Sequence, residues 1–89
     1  MKSDTTRQFR RLFALLPRLV QLQARQAYRL FRQNAVHPGL PFKRVYADPP
    51  MYSARVGIGY RAVGVLDGDA ITWFWIGSHA DYDKLLAEL

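Results

Sequence analysis

No cysteine occurs in this 89-residue chain, so disulfides and thiolate metal sites are excluded. No run approaches the ~18 apolar residues that a membrane-spanning helix needs, and no secretory apolar core follows the basic start. Acidic residues are nearly missing from the first half: residues 1–46 carry ten Lys/Arg against Asp4 alone, a balance of +9. Histidine is scarce too, since His37 and His79 are the only two and share no metal-ligand spacing. Gly57-Ile58-Gly59 lacks the third glycine and the following helix of a dinucleotide fingerprint, and no Gly-x-Ser-x-Gly elbow is present. The expectation is a protein without metal or cofactor. Repeats, low-complexity segments and linkers are also absent, so residues 1–89 read as one domain.

What is present is arginine, aromatic residues and a mixed periodicity. Ten of the thirteen basic residues are arginines, whose planar fork of donors suits phosphates and carboxylates. Residues 47–89 reverse the charge, with three basic residues against six acids, a balance of −3. A polyanion or an acidic protein partner is the natural counterpart of the basic half. With 49% apolar residues the chain can still close a core. A soluble, cytoplasmic protein with no membrane association is expected.

Phe9, Leu12, Phe13 and Leu16 fall at i, i+3, i+4 and i+7, which predicts an amphipathic helix over about residues 5–16, capped by Ser3, Asp4 or Thr5. The basic start resembles a transit peptide in composition, but its periodicity runs on into this helical pattern and assigns it to the fold. Pro17 ends the first helix and opens a second. There Val20, Ala24, Ala27 and Phe31 form the buried stripe, and Arg18, Arg25, Arg29 and Arg32 lie on the opposite face. His37-Pro38-Gly39-Leu40-Pro41 is a turn. Strands follow at about 42–46, 52–57, 60–66 and 70–76, with Asp67-Gly68-Asp69 as a tight hairpin and Gly57/Gly59 as a bulge or turn. Ser78 followed by Asp81 fits a capping box, and Tyr82, Leu85, Leu86 and Leu89 mark a final helix. The fold class is α+β: an antiparallel helical hairpin packed on a small, mostly antiparallel four-stranded sheet, with a short C-terminal helix.

Arg55 and Arg61 stand on neighbouring strands, and His79 stands at a strand end and helix start. Cleavage of RNA by its own 2′-hydroxyl needs a base, cations for the crowded phosphate and an acid for the leaving oxygen. Histidine and arginine suit these tasks, and aromatic faces hold unstacked bases. Each residue also has a structural reading. Arg61 alternates with Val63 and Val65 and can close a core row, whereas His79 can help cap the last helix, where the dipole disfavours imidazolium. Tyr82 belongs to a packing stripe. Trp73 and Trp75 flank Phe74, so alternation puts both tryptophans on one sheet face, mostly as core. Lys43 and Arg44 point to opposite faces of one strand, so only one of them can meet a substrate. Asp81 and Asp83 read as helix-start charges.

The helical hairpin, FKRV, YSARVGIGYRAVGVL and WFWIGSHADYDKLL together resemble the RelE/ParE superfamily of type II toxin–antitoxin toxins, over nearly the whole chain. The Gly59-Tyr60-Arg61 core and the Gly77-Ser78-His79-Ala80-Asp81-Tyr82 turn are its more specific pieces, closest to the RelE/HigB/YafQ-like branch. The resemblance implies a metal-independent endoribonuclease, an mRNA interferase that inhibits translation by cutting mRNA on the ribosome. Arg61 then matches the arginine at the scissile phosphate, Arg55 a basic residue of the preceding strand, His79 a catalytic histidine and Tyr82 a C-terminal aromatic. Lys43 matches a further RNA phosphate contact, with Arg44 beside it. The implied partners are a cognate antitoxin, mRNA and the ribosome, with DNA reached only through an antitoxin complex. Two departures stand out: the family's first strand is missing or very short, and Ser53 stands where some relatives carry lysine. ParE-like relatives share the fold but poison DNA gyrase, so a non-catalytic toxin or binding module acting on a protein is the alternative.

Overall fold

A computed structural model describes residues 2–33 and 42–89. The turn expected at His37–Pro41 lies outside the described residues. Eight elements follow in order: β1 (Lys2–Thr5), α1 (Arg7–Ala14), α2 (Arg18–Gln33), β2 (Phe42–Tyr46), β3 (Met51–Val56), β4 (Tyr60–Asp67), β5 (Ala70–Ser78) and α3 (His79–Ala87). The strands form one sheet in the order β1-β5-β4-β3-β2, antiparallel except for the parallel pair β1–β5. This is the expected α+β arrangement with one more strand. No helix among the described residues is long and apolar enough to cross a membrane.

The additional strand, β1, shortens the expected first helix at its start. Lys2 N donates to Asp69 O at 2.8 Å, Thr6 N to Trp73 O at 2.9 Å, and the Trp73 indole Nε1 to Ser3 Oγ at 3.1 Å. These partners lie some seventy positions away in the chain, so local periodicity carries no trace of them. Helix α1 therefore begins at Arg7, and its cap is Thr6, whose Oγ1 accepts from Phe9 N at 3.1 Å, not Ser3, Asp4 or Thr5. Pro17 opens α2 as expected, its carbonyl accepting from Gln21 N at 3.0 Å. The Gln21 amide Nε2 donates back to the Phe13 and Leu16 carbonyls at 3.1 and 3.2 Å, which ties the corner between the two helices.

Both helices lie on one face of the sheet, α1 chiefly over β5 and α2 over β3. Val20, Ala24 and Phe31 of α2 are buried against Ala54, Val56, Ala62, Ile71, Trp73 and Ile76, and Ala27 is packed beside them. The ring of Phe31 meets Phe42 and Trp73 with centroids 5.3 Å from each. Arg18, Arg25, Arg29 and Arg32 are exposed, as the stripe required. Helix α1 contributes Phe9, Leu12 and Phe13 only as half-buried residues and buries none completely.

The two tryptophans separate. Val63 pairs with Trp75 and Gly64 with Trp73, so Phe74 is the extra residue of a bulge that reverses the alternation of β5. Trp73 enters the core beneath the helices, whereas Trp75 turns to the other face and meets Tyr82 of α3 at 6.4 Å between centroids. The expectation of one shared face fails because it assumes an uninterrupted two-residue period.

Candidate functional site

The face of the sheet opposite α1 and α2 carries the candidate residues. Its members follow from the register. Lys43 pairs with Ser53, Ser53 with Val63 and Val63 with Trp75. In the neighbouring row Arg55 pairs with Arg61, and Arg61 with Gly77. Ser53 and Val63 are buried beneath this face at 2% and 0% exposure, as is Tyr82 at 5%. A small residue at position 53 and a flat ring at position 75 thus make the floor, and the basic residues stand at its margin.

Arg55 is exposed and Arg61 half-buried, and they are directly opposed across β3 and β4. Side chains so placed have Cβ atoms about 4.5–5.5 Å apart, and like charges there repel. Among the described residues neither guanidinium has a carboxylate partner; the one ion pair found is His79–Asp83. Arg61 Nη1 instead donates to the carbonyl of Tyr60 at 2.9 Å, which draws the group back along its own strand. Two unneutralised, opposed guanidinium groups make an anion-attracting position.

His79 arrives at the same end of the sheet. Its backbone N donates to Gly59 O at 2.8 Å, fastening the start of α3 to the turn between β3 and β4. It does not cap α3: Ser78 is the cap, its Oγ accepting from Asp81 N at 3.2 Å. The imidazole lies 5.8 Å from the Tyr82 ring, and Nε2 is 3.5 Å from Asp83 Oδ2, with both side chains more than half exposed. Asp83 was legible only as a helix-start charge, although its i+4 spacing from His79 is the usual signal for such a pair.

Of the two residues expected at β2, Lys43 stands on this face and Arg44 does not. Arg44 pairs with Tyr52 and its Nη2 donates to Ala47 O at 2.8 Å, so it is held within its own loop. Tyr82 is sequestered between Trp75 and His79 and packs the floor. The structure therefore brings Arg55, Arg61 and His79 to one end of the sheet, adds Lys43 further along the same face, and sets Arg44 apart.

On the opposite face, a groove opens between α1 and α2. Phe9, Phe13, Ala27 and Tyr28 line its walls, Ala54, Ala62 and Trp73 its floor, and Arg10, Arg25 and Arg29 its rim. The Arg25 guanidinium lies 5.1 Å from the centre of the Phe13 ring, a cation–π contact that links the two helices.

A small twisted sheet backed by two helices, with a basic open face and a C-terminal helix starting beside it, defines the RelE/ParE class of toxin folds. The model of the ParE-like toxin domain matches residues 18–84. The chain belongs to the ParE-like toxin domain family, within the RelE/ParE superfamily of toxins. Two crystal structures share the fold at low sequence identity. The RelB–RelE antitoxin–toxin complex from Methanococcus jannaschii matches at 16% identity and a TM-score of 0.75, covering 91% of this chain and 95% of that one. The archaeal RelE–RelB complex from Pyrococcus horikoshii OT3 matches at 15% identity and a TM-score of 0.65, covering 88% and 93%. Among curated proteins, none matches the sequence significantly.

Proposed function

We propose that this toxin domain is a metal-independent endoribonuclease that cleaves mRNA on the ribosome and so inhibits translation. The opposed pair Arg55/Arg61, which has no carboxylate partner among the described residues and stands beside His79, carries this reading. In the reaction the RNA 2′-oxygen passes its proton to a solvent water and attacks the adjacent phosphorus, and the 5′-oxygen leaves and is protonated. The product ends are a 2′,3′-cyclic phosphate and a free 5′-hydroxyl. Arg61 and Arg55 bind the non-bridging oxygens, whose charge grows as phosphorus becomes five-coordinate. His79 transfers a proton at the leaving oxygen, and Lys43 holds a neighbouring phosphate. Tyr82 acts through packing, keeping Trp75 and the start of α3 in place.

The test is induction of the protein in cells with mapping of mRNA ends, alongside His79→Ala and Arg61→Ala. Cleavage that is lost in both variants is expected. Intact mRNA in cells that nonetheless stop growing overturns the reading.

A cognate antitoxin belongs to the same proposal. Structural relatives were solved as antitoxin–toxin complexes, and the groove between α1 and α2 offers an apolar floor within an arginine rim. An amphipathic segment with acidic flanks complements that surface in both respects. DNA would be reached only through such an antitoxin.

A second reading is a ParE-like action on a protein target such as DNA gyrase, favoured by the exposed stripe Arg18/Arg25/Arg29/Arg32. Induced DNA damage that survives His79→Ala but disappears when Arg25 and Arg29 are replaced would establish it.

A further inference from the structure

Among the described residues six large hydrophobic side chains are exposed, and three of them lie at the corner between α1 and α2 or just beyond it. Leu15 at the end of α1 is 82% exposed, and Leu19 and Leu22 in the first turns of α2 are 66% and 52% exposed. These leucines continue neither the buried stripe of α1 nor that of α2. Beside the corner runs a groove distinct from the one between the helices. Leu12, Leu15, Leu16 and Pro17 form one wall, Trp75 and Gly77 the bottom, and Asp81, Lys84, Leu85 and Glu88 of α3 the other wall. Leu15 thus lines the groove and also projects beyond its rim.

Charge is divided across this surface. The helical corner carries the exposed Arg11 and Arg18, and the wall formed by α3 carries the exposed Asp81, Lys84 and Glu88, a balance of −1. The patch therefore has an apolar knob beside an apolar recess, with a basic edge on the knob's side and a mixed edge of net negative charge on the other. A two-fold rotation brings each edge against its opposite and each knob against the other copy's recess. An unrelated acidic partner would match the arginine edge but meet a net negative charge on α3, where Lys84 offsets only one of Asp81 and Glu88.

We propose that this corner is a self-association surface, and that the chain pairs with a second copy through Leu15 in the groove between the α1–α2 corner and α3. Arg18 of each copy lies towards Glu88 of the other, which sets the register. The groove shares Trp75 and Gly77 with the floor of the Arg55/Arg61 face, but the mass of the chain is read without RNA, so the test stands apart from the reading of that site as a nuclease.

Sedimentation equilibrium of the purified chain over a wide concentration range tests the proposal. The expected mass is twice the 10.3 kDa of one chain, falling towards one chain on dilution and with added salt. Leu15→Glu weakens association at least tenfold, and because Leu15 is exposed the variant keeps the wild-type circular dichroism and melting profile. Arg18→Glu alone also weakens it, whereas Arg18→Glu combined with Glu88→Arg restores it, since the swapped charges again face opposites. A single-chain mass at every concentration overturns the proposal. So does a dimer that ignores Leu15→Glu, or a charge swap that fails to recover what the single reversal lost.

Discussion

Arg55 and Arg61 are directly opposed Cα partners on β3 and β4, and among the described residues no carboxylate pairs with either. A protein that keeps two cations together in this way carries a repulsion of roughly 0.2–1 kcal/mol, which a bound anion relieves. Arg55 is the exposed member, so Arg55→Gln should leave the folded protein as stable as before or a few tenths of a kcal/mol more stable. Added phosphate should raise the melting temperature of the parent chain more than that of the variant. Thermal melts in phosphate and in an uncharged buffer measure the difference.

Tyr82 separates packing from chemistry. It is 5% exposed and packed between Trp75 and His79, so Tyr82→Ala should cost about 3–5 kcal/mol, the usual cost of emptying a buried aromatic site. Tyr82→Phe keeps the ring, and the melting profile should stay close to that of the parent. RNA cleavage by Tyr82→Phe should remain within tenfold of the parent, because packing is the service assigned to it. A larger loss in a well-folded Tyr82→Phe protein would give the hydroxyl a chemical role.

Gly77 is required by a close approach. A Cβ built there would lie 2.7 Å from Cζ2 of Trp75, and the indole has Tyr82 as its neighbour on α3. Gly77→Ala should therefore destabilise by about 1–3 kcal/mol through overpacking. Adding Trp75→Leu should recover part of that loss, giving a non-additive pair in chemical denaturation. Since Gly77 pairs with Arg61, the single variant should also lower cleavage more than its stability loss alone predicts.

The cap of α1 can be assigned by mutation. Thr6→Ala should cost about 1 kcal/mol, because Phe9 N loses its side-chain acceptor. Asp4→Ala, whose carboxylate among the described residues accepts only from Thr5 N, should fall within about 0.5 kcal/mol of the parent. Urea denaturation of the two variants distinguishes the observed cap from one placed two residues earlier.

Much of the architecture was legible because it rests on short-range patterns. The stripe Val20/Ala24/Ala27/Phe31, the corner at Pro17, the turn at Gly68 with its φ of 61° and the Ser78 cap each depend on residues within a few positions of one another. The site was legible in part for the same reason. The strand readings put Arg55 and Arg61 on neighbouring strands, and period-two alternation divided Lys43 from Arg44. It failed at Phe74, where one extra residue sends Trp75 to the face opposite Trp73. It could not show that Arg44 is tied to Ala47, nor that Asp83 stands 3.5 Å from His79.

By itself the sequence determined the class of elements, the basic character of the first half, the arginine stripe and the family. These follow from composition and from periodicities of 2 and 3.6 residues, which are local. Tertiary structure alone decided that Lys2–Thr5 becomes a strand, that Thr6 is the cap and that Trp75 belongs with Tyr82. It also decided that Arg55, Arg61 and His79 share one end of the sheet. The reason is physical: strand pairing and sheet faces are set by hydrogen bonds and packing between residues far apart in the chain. Ser3 meets Trp73 and Gly59 meets His79 only once the chain has closed on itself.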